Sequence, residues 1–341
     1  MAALVSTGPA IAIVTPLYNA AAFIDQTLAS VAGQRTAGDE HLVVDDGSTD
    51  GGGDLVAAKI ASDGQSGLRL LRQANAGEAA AVNAGVAATG AEIVGIVNAD
   101  DPILPGLLDA VREAFADDPG LAAVYPDWVM IDQHGATVAT IRTLEYDYTV
   151  MLAQHMCIPG PGAFFRRLAL GAEPVRDSAA AGISDFDFWL RLGLHGARMR
   201  RLPQPLASWR SHRGGATYYS QSPELAGSKI AMIDRLFARR DVPGPIRALE
   251  RQAKSAAAYH AALVGLRSPG VPALRYAFAS FRLLARWPAD VLPHQRRSLI
   301  HLAYASLQPM SGTLHELAGP LLPPHYRRQA VLDQTFGIDA R

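Results

Sequence analysis

Over its first 130 residues the chain alternates short apolar, β-branched runs with stretches patterned for helix. Strands are expected over 11–15, 41–44, 68–71 and 93–97. Helices are expected over 20–31, 54–60, 79–88 and 105–116, the last with Pro105 in its opening turn. Parallel strands need long crossovers, and helices supply them, so this alternation specifies a parallel sheet with helices on both faces. Residues 121–131 and 137–141 read as further strands around a turn at Gly135. After Asp147 the pattern changes: a short strand over 163–166, a helix over 186–194 and an extended run over 198–209. From Pro223 onward helices dominate (224–240, 246–267, 273–286 and 295–307), punctuated by Pro243, Pro269, Pro288 and Pro309. The fold class is α/β, a nucleotide-binding-type sheet followed by a mainly helical C-terminal region.

A length of 341 residues allows two domains, enough to bury a core without a metal or disulfide staple. A hydrophobic fraction of 49% with 18% charged residues excludes a disordered chain. No apolar run is long enough to span a bilayer, and no basic residue precedes an apolar stretch at the N-terminus, so neither a spanning helix nor a secretory signal is expected. Cys157 is the only cysteine, which rules out a disulfide within the chain and a multi-thiolate zinc site, and fits a reducing, cytoplasmic setting. The net charge of −1 conceals an asymmetry, because residues 216–341 carry 16 Lys/Arg against 8 Asp/Glu while the preceding part is acidic. Two readings are open: mutual attraction of the two parts, or a basic surface for an anionic partner.

In an open parallel sheet, ligands bind at the carboxyl ends of the strands. The polar residues of this chain gather there, as Thr15-Pro16-Leu17-Tyr18-Asn19, Asp45-Asp46-Gly47-Ser48-Thr49-Asp50 and Asn98-Ala99-Asp100-Asp101. Taken singly, Ser48 or Thr49 could be a helix cap and Asp101 a turn residue. Three clusters on one rim point instead to a ligand. The first turn lacks the glycines of a dinucleotide fingerprint, and no phosphate-binding loop of the G-x-x-x-x-G-K-[ST] type occurs. A phosphate-bearing ligand would then be held through a cation, and the oxygens of Asn98 and Asp100 suit Mg²⁺ or Mn²⁺.

At this point the residues carry a resemblance. The three clusters, together with Asn75-Ala76-Gly77-Glu78, Asn83-Ala84-Gly85, 162–167 (Gly-Ala-Phe-Phe-Arg-Arg), 185–191 (Asp-Phe-Asp-Phe-Trp-Leu-Arg) and Trp209-Arg210-Ser211-His212, resemble the family 2 glycosyltransferases of the GT-A fold. The resemblance covers about 8–217, expected as the catalytic domain, with 218–341 as a separate helical region. It implies an inverting, hexosyltransferase-like enzyme that moves a sugar from a nucleotide-sugar donor, UDP- or dTDP-linked, to an acceptor hydroxyl of unknown identity. Pro16, Tyr18 and Asp46 match positions that hold base and ribose, and Thr15, Gly77, Asn98 and Asp101 fall with them on the donor side. Asp100 takes the place of the principal metal ligand, with Asn98 and His212 completing a site for Mn²⁺ or Mg²⁺. Asp185 matches the general base, a role compatible with capping its helix. Asn98 stands where the family usually has an aspartate, which removes one charge from the metal site. A catalytically silent sugar-nucleotide-binding or scaffold protein is therefore the competing reading. A nucleotidyltransferase fits the segment 185–191 poorly, and a paired-carboxylate hydrolase would have no use for the metal.

No nucleic-acid partner is expected. Arg247, Arg251 and Lys254 recur at helical spacing, and Arg275, Phe278, Phe281, Arg282, Leu283 and Arg286 mix aromatic and cationic side chains. The region could dock peripherally on anionic lipid at the inner membrane face, or its arginines could pair with the acidic front part and its aromatics be core.

Overall fold

The structure is a computed structural model that describes residues 9–63, 67–180, 182–212 and 223–265. The chain divides into two compact units. The first holds the residues up to Tyr146 together with Ile158–Ser178 and Arg191–His212. The second draws Asp147–Cys157 and Ala179–Leu190 out of the middle of the chain and adds the described residues from 223 onward.

An eight-stranded sheet organises the first unit. Four strands, β1 (Ile11–Leu17), β2 (Glu40–Asp45), β3 (Leu68–Arg72) and β4 (Ile93–Ile96), lie parallel in the order β3-β2-β1-β4. Helices α1 (Ala21–Ala32), α2 (Gly52–Asp63) and α3 (Glu78–Ala87) make the crossovers, and α4 (Leu107–Asp117) follows β4. Beyond β4 the sheet becomes mixed. Strand β7 (Phe164–Arg166) runs antiparallel to β4 and to β5 (Leu121–Ile131), and β6 (Thr137–Ile141) is antiparallel to β5. Strand β8 (Arg198–Arg210) then lies parallel to β5 along its whole length. The parallel arrangement expected from the strand–helix alternation thus holds for the first four strands, and the strands that follow make the sheet mixed. The β5–β6 connection is a tight turn through Gly135 at φ +88°, and so short a link can join only antiparallel strands.

Strand β1 is buried along nearly its full length, as a central strand covered on both faces must be. Ile11 and Ile13 join Val31 of α1 with Leu107, Leu108, Val111 and Phe115 of α4 in one core cluster. Val14 points to the opposite face, where α3 approaches through Gly85: a Cβ there would stand 2.4 Å from Val14 Cγ1. Helix α4 starts two residues later than its sequence suggests, because Gly106, in the left-handed conformation (φ +90°), is its N-cap and Pro105 stays outside.

The second unit contains α5 (Tyr148–Ala153), α6 (Ser184–Gly193), α7 (Pro223–Ala238), α8 (Gly244–Arg247) and α9 (Glu250–Gly265). The continuous helix expected over 246–267 is instead broken at Ala248 and Leu249, which form a turn. Helices α7 and α9 pack together, with Ala226 and Ala261 fully buried at their contact. Two members of the expected basic stripe are engaged within this unit. Lys254 bridges Asp234 and Glu250, and Arg247 donates to the carbonyls of Phe237 and Arg239. Residues 275–286, named above for a membrane contact, lie outside the described residues. No described helix is long and apolar enough to cross a membrane.

Candidate active site

Strand register sets the first half of the site. Leu17 is level with Asp45, and Val97 continues β4 by donating to the Val14 carbonyl at 3.0 Å. The three polar clusters therefore leave the sheet along one edge. Past β1 the chain turns at Asn19, which adopts a left-handed φ of 49° and accepts the Thr49 amide on Oδ1 at 2.8 Å. Asp50 caps the start of α1 by accepting from the Ala21 amide at 2.8 Å. Ser48 and Asp50 thus serve the loop itself, which answers the capping alternative for this cluster.

Asp46 does something else. Its buried carboxylate accepts three hydrogen bonds, from the Gln73 amide at 2.7 Å, the Ala76 N–H at 2.9 Å and the Gly77 N–H at 2.8 Å. Asp46 and Gly77 are thereby brought together, with Tyr18 exposed (54%) at the adjoining edge and Pro16 half-buried. Thr15 lies apart from them: it is fully buried, and its hydroxyl meets His41 Nε2 at 2.9 Å. Burial, reinforced by the Arg35 charge, pushes the His41 imidazole down to about 3, so it is neutral. Gln73 has no place in the sequence motifs, and its position at the end of an apolar strand is the sole signal it offers.

The second half lies past β4. Asp100 Oδ2 and His212 Nε2 meet at 2.9 Å, joining residues 112 positions apart. The Asn98 amide donates to Asp101 Oδ2 at 2.9 Å, and the Arg210 N–H donates to Asp101 Oδ1 at 2.7 Å. Asp101 is buried, and that burial together with the neighbouring Asp100 charge pushes its carboxyl up to about 8. Arg210, 2% exposed, ties the loop down: Nε donates to the Asp100 carbonyl at 2.8 Å and Nη2 to Gln26 at 2.6 Å. Its Nη1 reaches the Asp132 and Gln133 carbonyls at 3.1 and 3.3 Å, and its guanidinium lies 4.9 Å from the Phe23 ring centre. Phe23 also contacts the His212 ring, 4.7 Å between centroids. The sequence showed Arg210 beside His212 but gave no hint that it organises the loop, because its partners come from three separate segments.

The donor set fits a divalent cation in kind. A half-buried carboxylate and an imidazole converge, and a second carboxylate beside them resists ionisation. Among the described residues no three His, Cys, Asp or Glu side chains form a cage.

Asp185 belongs to the second unit, in the first turn of α6. It is exposed, and its Oδ1 accepts the Phe186 N–H at 2.7 Å, so an exposed carboxylate stands at the helix start. Asp187, two positions on, is buried. Lys229 lies within electrostatic reach of Asp185.

The fold recurs in solved structures. A mannosyltransferase of Pyrobaculum calidifontis in complex with GDP-Man and Mn²⁺ superposes with a TM-score of 0.58 at 19% identity, over 97% of this chain and 88% of that one. Staphylococcus aureus TarS 1–349 in complex with UDP gives 0.60 at 18% identity, over 88% of each chain. The architecture is that of the GT-A glycosyltransferases. Residues 12–170 match the family model described as Glycosyl transferase family 2. Among curated relatives, the O-antigen biosynthesis protein RfbC of Myxococcus xanthus is 38% identical over 138 residues, 39% of this chain and 10% of that protein. The uncharacterized glycosyltransferase YibD of Escherichia coli K12 is 32% identical over 119 residues, 35% of this chain and 34% of that protein. These two matches thus span 10% and 34% of the relatives' lengths.

Proposed function

We propose that this protein is an inverting glycosyltransferase that moves a sugar from a nucleoside-diphosphate donor to an acceptor hydroxyl, with help from Mn²⁺ or Mg²⁺. The observation that carries the reading is the meeting of Asp100 with His212, past β4 of a family 2 sheet. Asp46, its carboxylate fixed by Gln73, Ala76 and Gly77, is the acceptor for donor base or ribose groups, with Pro16 and Tyr18 beside it. Thr15 would act indirectly, since its hydroxyl is occupied by His41. A bound divalent ion supplies charge neutralisation of the leaving diphosphate. Asp100 and His212 would hold it, with Asn98 presenting its amide oxygen while its nitrogen restrains Asp101. The nucleotide is UDP or dTDP; the solved relatives of this architecture include a UDP complex of TarS and a GDP-Man complex of the mannosyltransferase.

Displacement at the anomeric carbon also needs a base for the acceptor proton, and an exposed carboxylate at a helix start is suited to it. Asp185 takes that role, and direct attack by the deprotonating hydroxyl inverts the centre. The acceptor is a glycan, a lipid-linked glycan or a small molecule of a polysaccharide or glycoconjugate pathway, and the reaction takes place in the cytoplasm or at the inner membrane face. Asp185→Asn keeps the shape and the bond to Phe186 but accepts no proton. Donor affinity should persist while transfer falls by at least roughly 10²-fold. Near-native turnover in this variant would move the base elsewhere, with Asp187 the next candidate. A protein that binds donor, yet neither transfers nor hydrolyses it with Mn²⁺ present, would instead be the silent binder that Asn98 suggests.

A further inference from the structure

Helix α5 ends in an uncommon way. After Gln154 the chain enters the left-handed region at His155, φ +52°, a conformation that costs a non-glycine residue about 1–2 kcal/mol. The turn is closed by the Met156 N–H donating to the Met151 carbonyl at 3.0 Å. Its effect is to drive the His155 ring inward, where it is 4% exposed. The ring meets Phe186 edge-on, 5.0 Å between centroids, and His260 of α9 at 5.2 Å. Neither ring nitrogen of His155 has a hydrogen-bond partner among the described residues. An unpaired buried polar group costs about 1–3 kcal/mol, and backbone strain beside it is a second cost at the same residue. Such pairs of costs persist where a ligand later supplies the missing partner.

The surroundings say what kind of ligand. Phe186, against which His155 packs, is the residue whose N–H holds Asp185 Oδ1. Lys229 of α7 stands within electrostatic reach of Asp185, Cys157, His155 and His260, and it is desolvated enough for its ammonium pKa to fall. Burial and the Lys229 charge keep both imidazoles neutral, and His260 also engages the Gln154 backbone. The groups facing this spot are therefore one ammonium, two neutral imidazoles, the thiol of Cys157, and one carboxylate at the edge. Burial outweighs the attraction of Asp185 at Lys229, so its ammonium is under-compensated, and the His155 ring lacks partners among the described residues. A neutral hydroxyl would leave the ammonium uncompensated, whereas an oxyanion supplies charge and lone pairs together.

We propose that His155, Lys229 and His260 form a subsite for an acidic group of the acceptor, a phosphate or a carboxylate, beside Asp185. This rests on the reading of Asp185 as the base that receives the acceptor hydroxyl. The acceptor is then bifunctional: its hydroxyl is offered to Asp185, and its anionic group is held on the Lys229 side, away from that carboxylate. The subsite selects acidic acceptors over neutral ones, because a neutral analogue leaves the desolvated Lys229 ammonium without an added counter-charge.

The test needs neither donor nor turnover. The full chain with ¹⁵N-labelled histidine is titrated at neutral pH with inorganic phosphate and, separately, with D-glucuronate, against sodium chloride of equal ionic strength. The ring signals of His155 and His260, assigned through His155→Gln and His260→Gln, are followed. At least one of the two anions should move both signals saturably towards the protonated form, and the arm that does so identifies the acidic group. Lys229→Met should weaken that binding at least about tenfold, and Asp185→Asn should leave it equal or tighter. Absence of saturable shifts with either anion up to tens of millimolar would overturn the proposal, as would shifts that persist unchanged in Lys229→Met. Failure of Asp185 as base would show only as retained transfer in Asp185→Asn, so the two readings fail separately.

Discussion

Arg210 offers the sharpest test of how the site is built. Its guanidinium spans the Asp100 carbonyl, Gln26 and the carbonyls of Asp132 and Gln133, at distances from 2.6 to 3.3 Å, while buried from solvent. Arg210→Lys keeps the charge and the backbone N–H to Asp101, but an ammonium on a flexible stem cannot reach four acceptors in different directions. At least two charge-assisted hydrogen bonds are lost, at about 1.5–3 kcal/mol each, so a destabilisation of about 3–5 kcal/mol is expected. With a urea slope of about 1–3 kcal/mol/M, the midpoint falls by more than about 1 M. The consequence for function is separate and more telling. Without the bond to its carbonyl, the Asp100 loop loses a fixed position, and Mn²⁺-dependent binding of the donor should weaken by more than the drop seen without metal. Urea denaturation and donor titration calorimetry with and without Mn²⁺ are the assays. A lysine variant within about 1 kcal/mol of the parent, with unchanged metal-dependent binding, would refute the claim that Arg210 organises this loop.

Further outcomes follow from other contacts. Asp46→Asn places an amide N–H against the Gly77 N–H and should cost about 1–3 kcal/mol in chemical denaturation, with a parallel loss of donor affinity; an unchanged affinity would remove Asp46 from the donor site. Gly85→Val should destabilise by about 1–3 kcal/mol through overpacking, because even the first carbon reaches Val14, and a neutral result would mean that α3 does not press on β1 as described. His41 is held near 3 in the fold against about 6.5 in the unfolded chain, so between these values the unfolded state binds the extra proton. Stability should therefore fall as pH drops below about 6.5, and His41→Phe should flatten that dependence by up to about 1.4 kcal/mol per pH unit. Equal slopes in the two proteins would contradict the buried neutral imidazole.

The parts of the fold legible in the sequence are those with local causes. The β1 to β4 runs are mostly apolar and separated by helical spacing, and each lies within a few residues of where its pattern places it. Pairing over long separations left no such trace. Nothing local says that β8 lies along β5, a partnership fixed by contacts such as the Arg201–Asp127 ion pair. Helix starts shifted where backbone conformation, not hydrophobic period, decided them, as at Gly106. The site divides the same way. Asp46, Asn98, Asp100 and Asp101 announce themselves as polar residues at strand ends, whereas Gln73 and Arg210 matter through what they touch. His155 and Lys229 sit in apolar helical surroundings, and only the packing of α5, α7 and α9 makes them neighbours.

Release of nucleoside diphosphate from a panel of UDP-, dTDP- and GDP-sugars, with and without Mn²⁺, tests the central claim most directly when the parent protein is compared with Asp100→Ala. The account predicts Mn²⁺-dependent release from at least one donor in the parent and none above background in the variant, whose fold is retained. Release that is equal in the two proteins, or absent from the parent for every donor, would contradict it.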